Sequence, residues 1–459
     1  MVKYFLYTVL VLYSTTLWAG DGDTHEWTLD NGLRVLVRED HRAPVFVSQV
    51  WYKVGSSYEP LGHTGISHML EHMMFKGTKK YPKNDFSTTI SALGGTLNAF
   101  TSNDMTVYYE ELAANNLSKA LELEADRMAN LQLNAQDLTS ELQVVKEERR
   151  MRIEDSPEGR LYERLNAAAY VSTAYHHPVI GWMHDIEQYT IGDLQKWYQQ
   201  WYAPNNATLV IVGDVEPKET LKKIKQYFGD LPQVDMPVIK TQVEVEPLGE
   251  RRVIVKAPAQ LPALYMGYNV PRIDGLATEA FEFEPYALSV LAGILSAGDS
   301  SRIPQNLVRS QQILAQGGAY YTAVARLEEL FVVTGTPAQG HTIVEAENAL
   351  LAQITRLQTE LVDAQELDRV KTNVKASRIF DKDSLDAQAQ ELGLLVTLEL
   401  DWKLADTFPD KIDAITPLQI QQVAKKYLIA DRKTVAVLDP QPITAEMLDT
   451  TQGDFSHVR

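Results

Sequence analysis

The sequence predicts an α+β protein built from two similar domains in tandem. Three observations predict this class. Helical patterns outnumber predicted strands in both halves, a segment rich in Pro and Gly separates the halves at 229–250, and the two halves end alike. With 459 residues, of which 45% are hydrophobic and 23% charged, the chain has enough apolar material for more than one core.

The first half begins with a hairpin and continues with helices. Asn31-Gly32, between two β-prone segments, is typical of a type I′ turn, and a further strand is predicted at 45–52. Apolar spacing of three and four residues predicts helices, and β-branched or aromatic runs predict strands, in this order: helices at 64–75, 83–93, 117–131, 137–153 and 193–202, a β-prone stretch at 106–109, and a buried strand at 207–212.

The second half repeats this alternation. The same criteria predict strands at 253–256, 263–269 and 330–336 and helices at 284–295, 341–361 and 364–380. The helix and strand that end each half also correspond, with Tyr202 matching Tyr427 and Thr208 matching Thr434. We therefore predict an N-terminal domain over 21–235, a linker over 236–252 and a C-terminal domain over 253–459.

Composition disfavours several classes of function. The chain has 61 Asp and Glu against 43 Lys and Arg, a net charge of −18, so phosphate backbones would be repelled and no nucleic-acid partner is expected. It has no Cys, which excludes disulfides, thiolate metal sites and cysteine nucleophiles. Any metal must therefore be held by His, Asp or Glu.

The N-terminus resembles a secretory signal peptide over residues 1–20. Lys3 precedes a short apolar run at 4–13, and small residues follow at Ala19-Gly20. The run is shorter than the about 20 apolar residues needed to span a bilayer. We expect cleavage, an exported protein that is periplasmic or secreted, and no stable membrane insertion after cleavage. An uncleaved membrane anchor is the alternative.

The sharpest local motif is His68-x-x-Glu71-His72. At about 100° per residue, all three side chains fall on one side of a helix. Two imidazoles one turn apart can hold a single zinc ion, and the carboxylate between them can reach a metal-bound water. The alternative is a solvated helix face that binds nothing.

A third ligand is predicted on the helix at 137–153. Glu141 and Glu148 are seven residues apart and share a face, whereas Glu147 is displaced by about 100° toward the polar side. An inward-facing carboxylate needs an opposite charge to stay ionised, which a metal supplies. Glu148 is therefore the predicted ligand and Glu141 a candidate behind it, with a plain acidic surface helix as the alternative.

Together these residues resemble an established family of metallopeptidases. Glu148 follows His72 by 76 positions, and further similar segments occur in the same order at 55–60, 73–78, 94–101 and 177–182. The chain resembles the inverted-zincin metallopeptidases of family M16, which includes pitrilysin, insulysin and the mitochondrial processing peptidase. Its length and two similar domains resemble the short processing-peptidase type.

The resemblance implies a fold and a catalytic centre. Each domain would be a mostly antiparallel sheet with helices packed on it, and the two domains would form half of a clamshell around a peptide. One Zn²⁺ per chain would bind His68, His72 and Glu148, with Glu71 as general base and Glu141 orienting His72 or acting electrostatically on the metal. Zinc rather than manganese or cobalt is inferred from ligand type and availability.

The resemblance also implies where a peptide would bind. Segment 95–101 resembles the edge strand to which substrates add, with Asn98 and Ala99 near the scissile bond and Phe100 lining a side-chain pocket. Without the resemblance, Gly94-Gly95 would be interpreted as a plain turn and Phe100 as a core residue.

One departure from the family concerns the substrate carbonyl. Active members bind it through an Arg and a Tyr from a C-terminal half, but this chain has no Tyr between Tyr321 and Tyr427. The nearby candidates, each also explicable as a turn, surface or core residue, are Arg302, Arg309, Tyr320 and Tyr321. We therefore expect the chain to be the zinc-bearing subunit of a pair, with a homologous second M16-like subunit or a second copy of itself.

The predicted function is zinc-dependent endopeptidase activity on extended or unfolded peptides. The alternative is a non-catalytic assembly or scaffold subunit that retains the fold. An intact set of His68, Glu71, His72 and Glu148 favours the enzyme, because a scaffold has no need for all four.

Overall fold

The computed structural model describes residues 23–273 and 282–443. The predicted signal peptide at 1–20 and the end of the predicted C-terminal domain, 444–459, lie outside the described residues. Within them, no helix combines the length and the apolar character that crossing a bilayer requires.

The first half contains one sheet and the helices around it. Its strands are β1 (Thr24–Thr28), β2 (Arg34–Glu39), β3 (Val45–Tyr52), β4 (Thr96–Thr101), β5 (Thr106–Ala113) and β6 (Ala207–Gly213). Its helices are α1 (Ile66–Met73), α2 (Asp85–Ala92), α3 (Leu117–Asn130), α4 (Ala135–Arg149), α5 (Pro157–Ala169), α6 (Met183–Ile186), α7 (Ile191–Trp201) and α8 (Pro217–Phe228).

The second half has the same kind of composition. Its strands are β7 (Arg251–Pro258), β8 (Ala263–Val270), β9 (Leu314–Tyr320), β10 (Glu329–Pro337) and β11 (Lys433–Gln441). Its helices are α9 (Glu284–Ser296), α10 (Ile343–Thr359), α11 (Ala364–Asp381), α12 (Leu385–Thr397), α13 (Leu404–Asp413) and α14 (Pro417–Tyr427).

The two sheets share one topology. The strand orders are β1-β2-β6-β3-β5-β4 and β7-β11-β8-β10-β9, which correspond strand for strand once β1 is set aside. In each sheet one pair is parallel, β2 with β6 and β7 with β11, and the other pairs are antiparallel. The predicted fold class, two homologous α+β domains with mostly antiparallel sheets, is confirmed.

The halves exchange one helix each. α5, from the first half, packs on the second sheet, where Leu161 and Leu165 join a buried cluster with Val255. α12, from the second half, packs on the first sheet, where Leu392 joins a buried cluster with Trp51. Sequence analysis predicted neither helix. Each covers a sheet that lies far away in the sequence, so no local pattern indicates its partner.

Polar contacts fasten the junction between the halves. The guanidinium of Arg326 donates to the carbonyl of Ser57 at 2.9 Å and lies 3.4 Å from the carboxylate of Asp104. The connecting segment is also held, because the buried carboxylate of Glu244 accepts hydrogen bonds from the backbone of Val171 and the hydroxyl of Thr173, at 2.8 and 2.9 Å. The junction is therefore ordered by specific contacts rather than by covalent connection alone.

Candidate metal centre and its edge strand

Helix α1 packs on the sheet through its apolar face, and a nearby carboxylate holds its first turn. Ile66, Met69, Leu70 and Met73 are buried, at the spacing of one helix face. At the start of the helix, the buried carboxylate of Glu59 accepts hydrogen bonds from the backbone N–H groups of Gly65 and Ser67, at 2.6 and 2.8 Å. A carboxylate suits this position, because helix N-termini present unpaired N–H groups and a positive dipole end.

Helix α4 begins at a side-chain cap and presents two carboxylates to α1. The side chain of Asn134 accepts a hydrogen bond from the backbone N–H of Asp137 at 2.9 Å, an N-cap arrangement. Leu138 and Val145 are buried and anchor the helix. Two turns apart, Glu141 and Glu148 both approach the histidines of α1.

His68, His72 and Glu148 converge on one point. The Nε2 atom of His68 lies 3.6 Å from Oε2 of Glu148, and Nε2 of His72 lies 3.3 Å from the same oxygen. The candidate ligand atoms of the three residues all lie within 4.8 Å of one another. Tetrahedral N and O ligands about 2.0–2.2 Å from zinc are separated from each other by about 3.3–3.6 Å. The distances from both histidines to Glu148 lie in this range, so these donors fit a zinc ion.

Glu141 contacts the other side of His72. Its Oε1 lies 3.0 Å from Nδ1 of His72, and its other oxygen pairs with Lys76. An imidazole that donates its Nδ1 proton to a carboxylate keeps the lone pair of Nε2 available for a metal. The Nε2 of His72 is the atom that faces Glu148. The contact therefore fits an orienting role for Glu141.

The four groups share one electrostatic environment in the metal-free chain. Burial lowers the pKa of His68 to about 4, so this imidazole is neutral at pH 7. Burial also opposes protonation of His72, but hydrogen bonds to Glu141 and Glu148 outweigh it and raise its pKa to about 9. Burial acts on Glu148 as well, yet its contacts with His72 and nearby cationic groups keep its pKa below the usual value. A proton on His72 thus occupies the place where a metal cation fits.

Glu71 lies on the same helix but faces the edge strand. Burial raises the pKa of its carboxyl group, and the hydroxyl of Thr101, which donates a hydrogen bond to it, acts in the opposite direction. Thr101 is the last residue of β4, so Glu71 lies at the junction between the histidine cluster and this strand. A partly buried carboxylate with a raised pKa is typical of a general base.

An open cavity of about 540 Å³ joins the cluster to β4. Residues 98–101 form one wall, and Lys76 and Arg152 supply positive charge near the carboxylates. β4 is the last strand of its sheet and pairs on one side only, with β5, among the described residues. The cavity thus has backbone hydrogen-bonding groups along one wall.

The three predicted peptide-binding residues have different surroundings. The side-chain oxygen of Asn98 accepts the backbone N–H of Ala99 at 2.9 Å. Phe100 lines the cavity and also packs edge-on against Trp51, with 5.9 Å between ring centroids. Because Trp51 belongs to the cluster formed with α12, Phe100 lies between the candidate site and the contact of the two halves.

Three of the four candidate carbonyl-binding residues of the second half are engaged elsewhere, and the fourth, Tyr320, is 44% exposed. Arg302 pairs with Glu366 at 2.7 Å and Arg309 pairs with Asp299. The hydroxyl of Tyr321 donates to the carbonyl of Pro271 at 2.5 Å. In the part of the chain that the structure describes, the cavity at the histidine cluster is lined by residues of the first half, and none of these candidates is among them.

Three neighbours of the cluster were not predicted. Arg152, which lies 2.9 Å from Glu148, follows that residue by four positions, and helical spacing could have indicated it. Lys76, which pairs with Glu141, lies beyond the end of α1 at Met73, so helical spacing does not place it. Thr101 could not be assigned to Glu71 in this way, because only the tertiary fold brings β4 against α1.

Comparison with known proteins identifies the family. The profile described as "Insulinase (Peptidase family M16)" matches residues 34–181, and that of the "Peptidase M16 inactive domain" matches residues 188–374. The zinc protease PqqE of Helicobacter pylori is 35% identical over 366 residues, covering 78% of this chain and 80% of that protein.

Two solved structures extend the comparison. The crystal structure of a protease from Helicobacter pylori superposes with a TM-score of 0.85 at 30% identity, covering 91% of this chain and all of that one. The periplasmic protease PqqL of Escherichia coli has the same fold, with a TM-score of 0.77 at 21% identity. The superposition covers 95% of this chain but 51% of PqqL. The chain belongs to peptidase family M16, whose members similar to it include zinc proteases.

Proposed function

We propose that the chain is a zinc-dependent endopeptidase that hydrolyses extended or unfolded peptides. The observation that carries the proposal is the convergence of His68, His72 and Glu148 beside a partly buried Glu71 and an open strand edge. The zinc protease named among its relatives supports the same activity.

Each residue of the cluster has a distinct role in this proposal. His68, His72 and Glu148 hold Zn²⁺, which when bound acts as a Lewis acid toward a water and the substrate carbonyl. Glu71 takes a proton from the attacking water and passes it to the leaving amine, a general-base role that its raised pKa supports. Glu141 keeps His72 oriented through Nδ1.

The substrate class follows from the strand edge. A peptide in extended conformation can add to β4 and form main-chain hydrogen bonds, as other strand-edge complexes do. Asn98 and Ala99 then lie beside the scissile bond, and Phe100 contacts a substrate side chain. Most segments of a folded protein are already paired or buried, so unfolded or short peptides are the preferred substrates in this proposal.

We further propose that a second subunit completes the site. Three of the four Arg and Tyr candidates of this chain, Arg302, Arg309 and Tyr321, have partners within their own half. In PqqL, a chain of about twice the length, the fold of this chain corresponds to one half. A homologous M16-like subunit, or a second copy, would supply the groups that bind the carbonyl.

A scaffold function is the second candidate. Its support is the match of residues 188–374 to a domain described as inactive, together with the local engagement of Arg302 and Arg309. A scaffold would retain the fold without turnover. The catalytic proposal and this alternative make opposite predictions for the experiment below.

Cleavage of a mixed peptide library by zinc-loaded mature chain, beside Glu71→Gln, tests the proposal. We expect E71Q to retain zinc and to lose activity by about 10²–10⁴-fold, the usual contribution of a general base. Zinc-loaded chain that cuts nothing, either alone or with a homologous subunit, would support the scaffold. Equal cleavage by both forms would indicate a contaminating peptidase.

We also propose that the chain is exported and that it has two domains with the limits given by the sequence. A signal peptide at 1–20, an exported mature protein, and domains at 21–235 and 253–459 joined by the linker at 236–252 together account for the sequence pattern. N-terminal sequencing of the protein recovered from outside the cytoplasm should give a chain that starts after Gly20. A chain that still begins at Met1 would favour the uncleaved anchor.

A further inference from the structure

Arg149 directly follows the candidate ligand Glu148 but points away from the metal centre. It is the last residue of α4, and the chain continues as a π-type turn, Arg150–Glu154. Regular i to i−4 hydrogen bonding therefore ends directly after Glu148, whose carboxylate must keep its position to act as a ligand.

The buried guanidinium of Arg149 has two close partners from other parts of the chain, and its Nε lies 3.7 Å from Oε1 of Glu154 in the π-type turn. Its Nη1 donates to the carbonyl of Gly181 at 2.8 Å, and its Nη2 lies 2.9 Å from Oε2 of Glu163 on α5. The side chains of Arg149 and Glu163 are 5% and 4% exposed, so the pair is almost fully desolvated. The guanidinium also lies over the ring of Trp182, 5.7 Å from its centroid.

Through Gly181, Arg149 is connected to α1, the helix that carries the two histidines. Gly181 packs so closely on the residues that begin α1 that a Cβ added to it would lie 2.0 Å from the carbonyl oxygen of Thr64. Trp182 donates its backbone N–H to the hydroxyl of Thr64 at 2.9 Å. Arg149 therefore joins the end of α4 to the start of α1, through a backbone segment that is already in close contact with the start of α1.

Through Glu163, Arg149 is connected to the second half of the molecule. Glu163 lies on α5, the helix that packs on the second sheet, where Leu161 and Leu165 join a buried cluster with Val255. One side chain thus connects the helix of Glu148, the helix of His68 and His72, and the element that belongs to the second sheet.

We infer that Arg149 is a positioning residue for the metal centre: through Gly181 and Glu163 it fixes Glu148 relative to His68 and His72 and to the second half of the chain. The inference rests on the proposed zinc site. It assigns no contact between Arg149 and the metal or the substrate. The two contacts are made by two different nitrogens of one planar guanidinium, Nη1 and Nη2, whereas a lysine has its donors on a single nitrogen.

Zinc affinity, measured by chelator competition on the full mature chain, tests the inference. We compare wild type with Arg149→Lys, Arg149→Met and Glu163→Gln. Arg150→Met is the matched control, because Arg150 is the next residue and its side chain is 45% exposed. Urea unfolding of each metal-free chain shows whether the variant folds.

We expect R149M to bind zinc about tenfold or more weakly, the usual cost of losing a group that orients a ligand. R149K should be intermediate, since it can keep one of the two contacts, and E163Q should lose less than R149M because the Gly181 contact remains. R150M should bind zinc within about twofold of wild type. If R149M does not fold, R149K and E163Q decide the question.

Wild-type zinc affinity in R149M, or in both R149K and E163Q, would overturn the inference, whatever their stability. The same experiment distinguishes this outcome from failure of the proposed function. A wild-type chain that binds zinc but cleaves no peptide, alone or with a second subunit, contradicts the peptidase proposal and leaves the effect of Arg149 on affinity to be judged by itself. A wild-type chain that binds no zinc contradicts both.

Discussion

Glu141 differs from the other carboxylates of the candidate metal centre in what it contacts. It meets Nδ1 of His72 and the ammonium of Lys76, whereas Glu148 meets the Nε2 side of both histidines. A carboxylate that accepts the Nδ1 proton makes the imidazole a better ligand and fixes its orientation. The role that we propose for Glu141 is therefore on the imidazole rather than on the substrate.

We predict that Glu141→Gln lowers zinc affinity by about tenfold, within the range found for such partners. An amide oxygen can still accept the Nδ1 proton, but it carries no charge, so the hydrogen bond is weaker. Chelator competition at constant pH measures the change. Glu147→Gln on the same helix is the control, because the Glu147 side chain is 59% exposed and pairs with Arg150. Equal affinities of E141Q and wild type would contradict the role.

At the scale of single elements, α1 depends on the backbone of Gly65. This residue has a φ of 87°, in the left-handed region that favours glycine, and caps the helix. A Cβ there would lie 2.3 Å from the carbonyl oxygen of Ile180. The conformation is thus required both by the turn into the helix and by the close approach of the segment that contains Gly181.

We predict that Gly65→Ala destabilises the chain and weakens zinc binding, whereas Gly62→Ala does much less. Gly62 has a φ of 88° but meets nothing within 4 Å, so alanine there has only the conformational cost of about 1–2 kcal/mol. The difference in stability and in zinc affinity between the two variants gives the effect of the steric clash at α1. Urea unfolding measures the stability and chelator competition measures the affinity. Equal losses in both variants would show that the contact with Ile180 has no effect.

At the scale of the whole molecule, the exchange of α5 and α12 makes each half part of the other's structure. Gly393 of α12 allows the closest approach, since a Cβ there would lie 2.1 Å from the indole ring of Trp51. Trp51 is fully buried and contacts Phe100 at the candidate peptide-binding strand. Packing between the halves is therefore directly linked to the candidate site.

We predict that Gly393→Ala lowers the free energy of unfolding by about 1–3 kcal/mol, the usual effect of overpacking a well-filled core. The loss would occur although alanine favours helix by about 1 kcal/mol over glycine. Gly192→Ala in α7 is the control, because its added Cβ meets nothing nearer than 3.6 Å and should be neutral or stabilising. Urea denaturation compares the variants, and a G393A chain as stable as G192A would contradict tight packing at Trp51.

The junction between the halves also contains a carboxyl group with an unusual pKa. Burial, reinforced by the charge of Asp104, raises the pKa of Glu329 to about 8. Both residues line a cavity of about 770 Å³ between the halves. Because the folded-state pKa exceeds the unfolded value, the folded chain binds more protons between these two values, and stability falls as the pH rises through about 8.

We predict that Glu329→Gln removes this part of the pH dependence. The variant should gain stability over wild type at pH 9 and differ little at pH 5, because glutamine resembles the protonated carboxyl group. Urea unfolding in the presence of a chelator at pH 5, 7 and 9 measures the effect, with E147Q as the exposed control. An E329Q chain whose stability follows the wild-type pH profile would contradict burial of Glu329 in its neutral form.

Local periodicity was sufficient to predict much of this molecule. It predicted the β1–β2 hairpin at Asn31-Gly32, although the expected type I′ turn is wrong. Only Gly32 of the pair has a positive φ, 84°, and its N–H donates to the carbonyl of Leu29 at 2.9 Å, whereas type I′ needs positive φ at both residues. Periodicity also predicted that His68, Glu71 and His72 share one side of α1 and that Glu141 and Glu148 share one face of α4. These features depend on residues within a few positions of each other, where helical and strand geometry fix direction. The repeat of the two halves could be predicted in the same way, because both copies kept the local pattern of the same elements.

The sequence by itself thus determined the fold class, the family resemblance and the set of candidate ligands. Only the tertiary structure decided that α4 meets α1 with ligand atoms within 4.8 Å, that Thr101 contacts Glu71, and that Arg149 joins three elements. It also decided the exchange of α5 and α12. These contacts join residues far apart in the chain, and their free energy comes from burial and complementary packing on a distant surface, which no local pattern specifies.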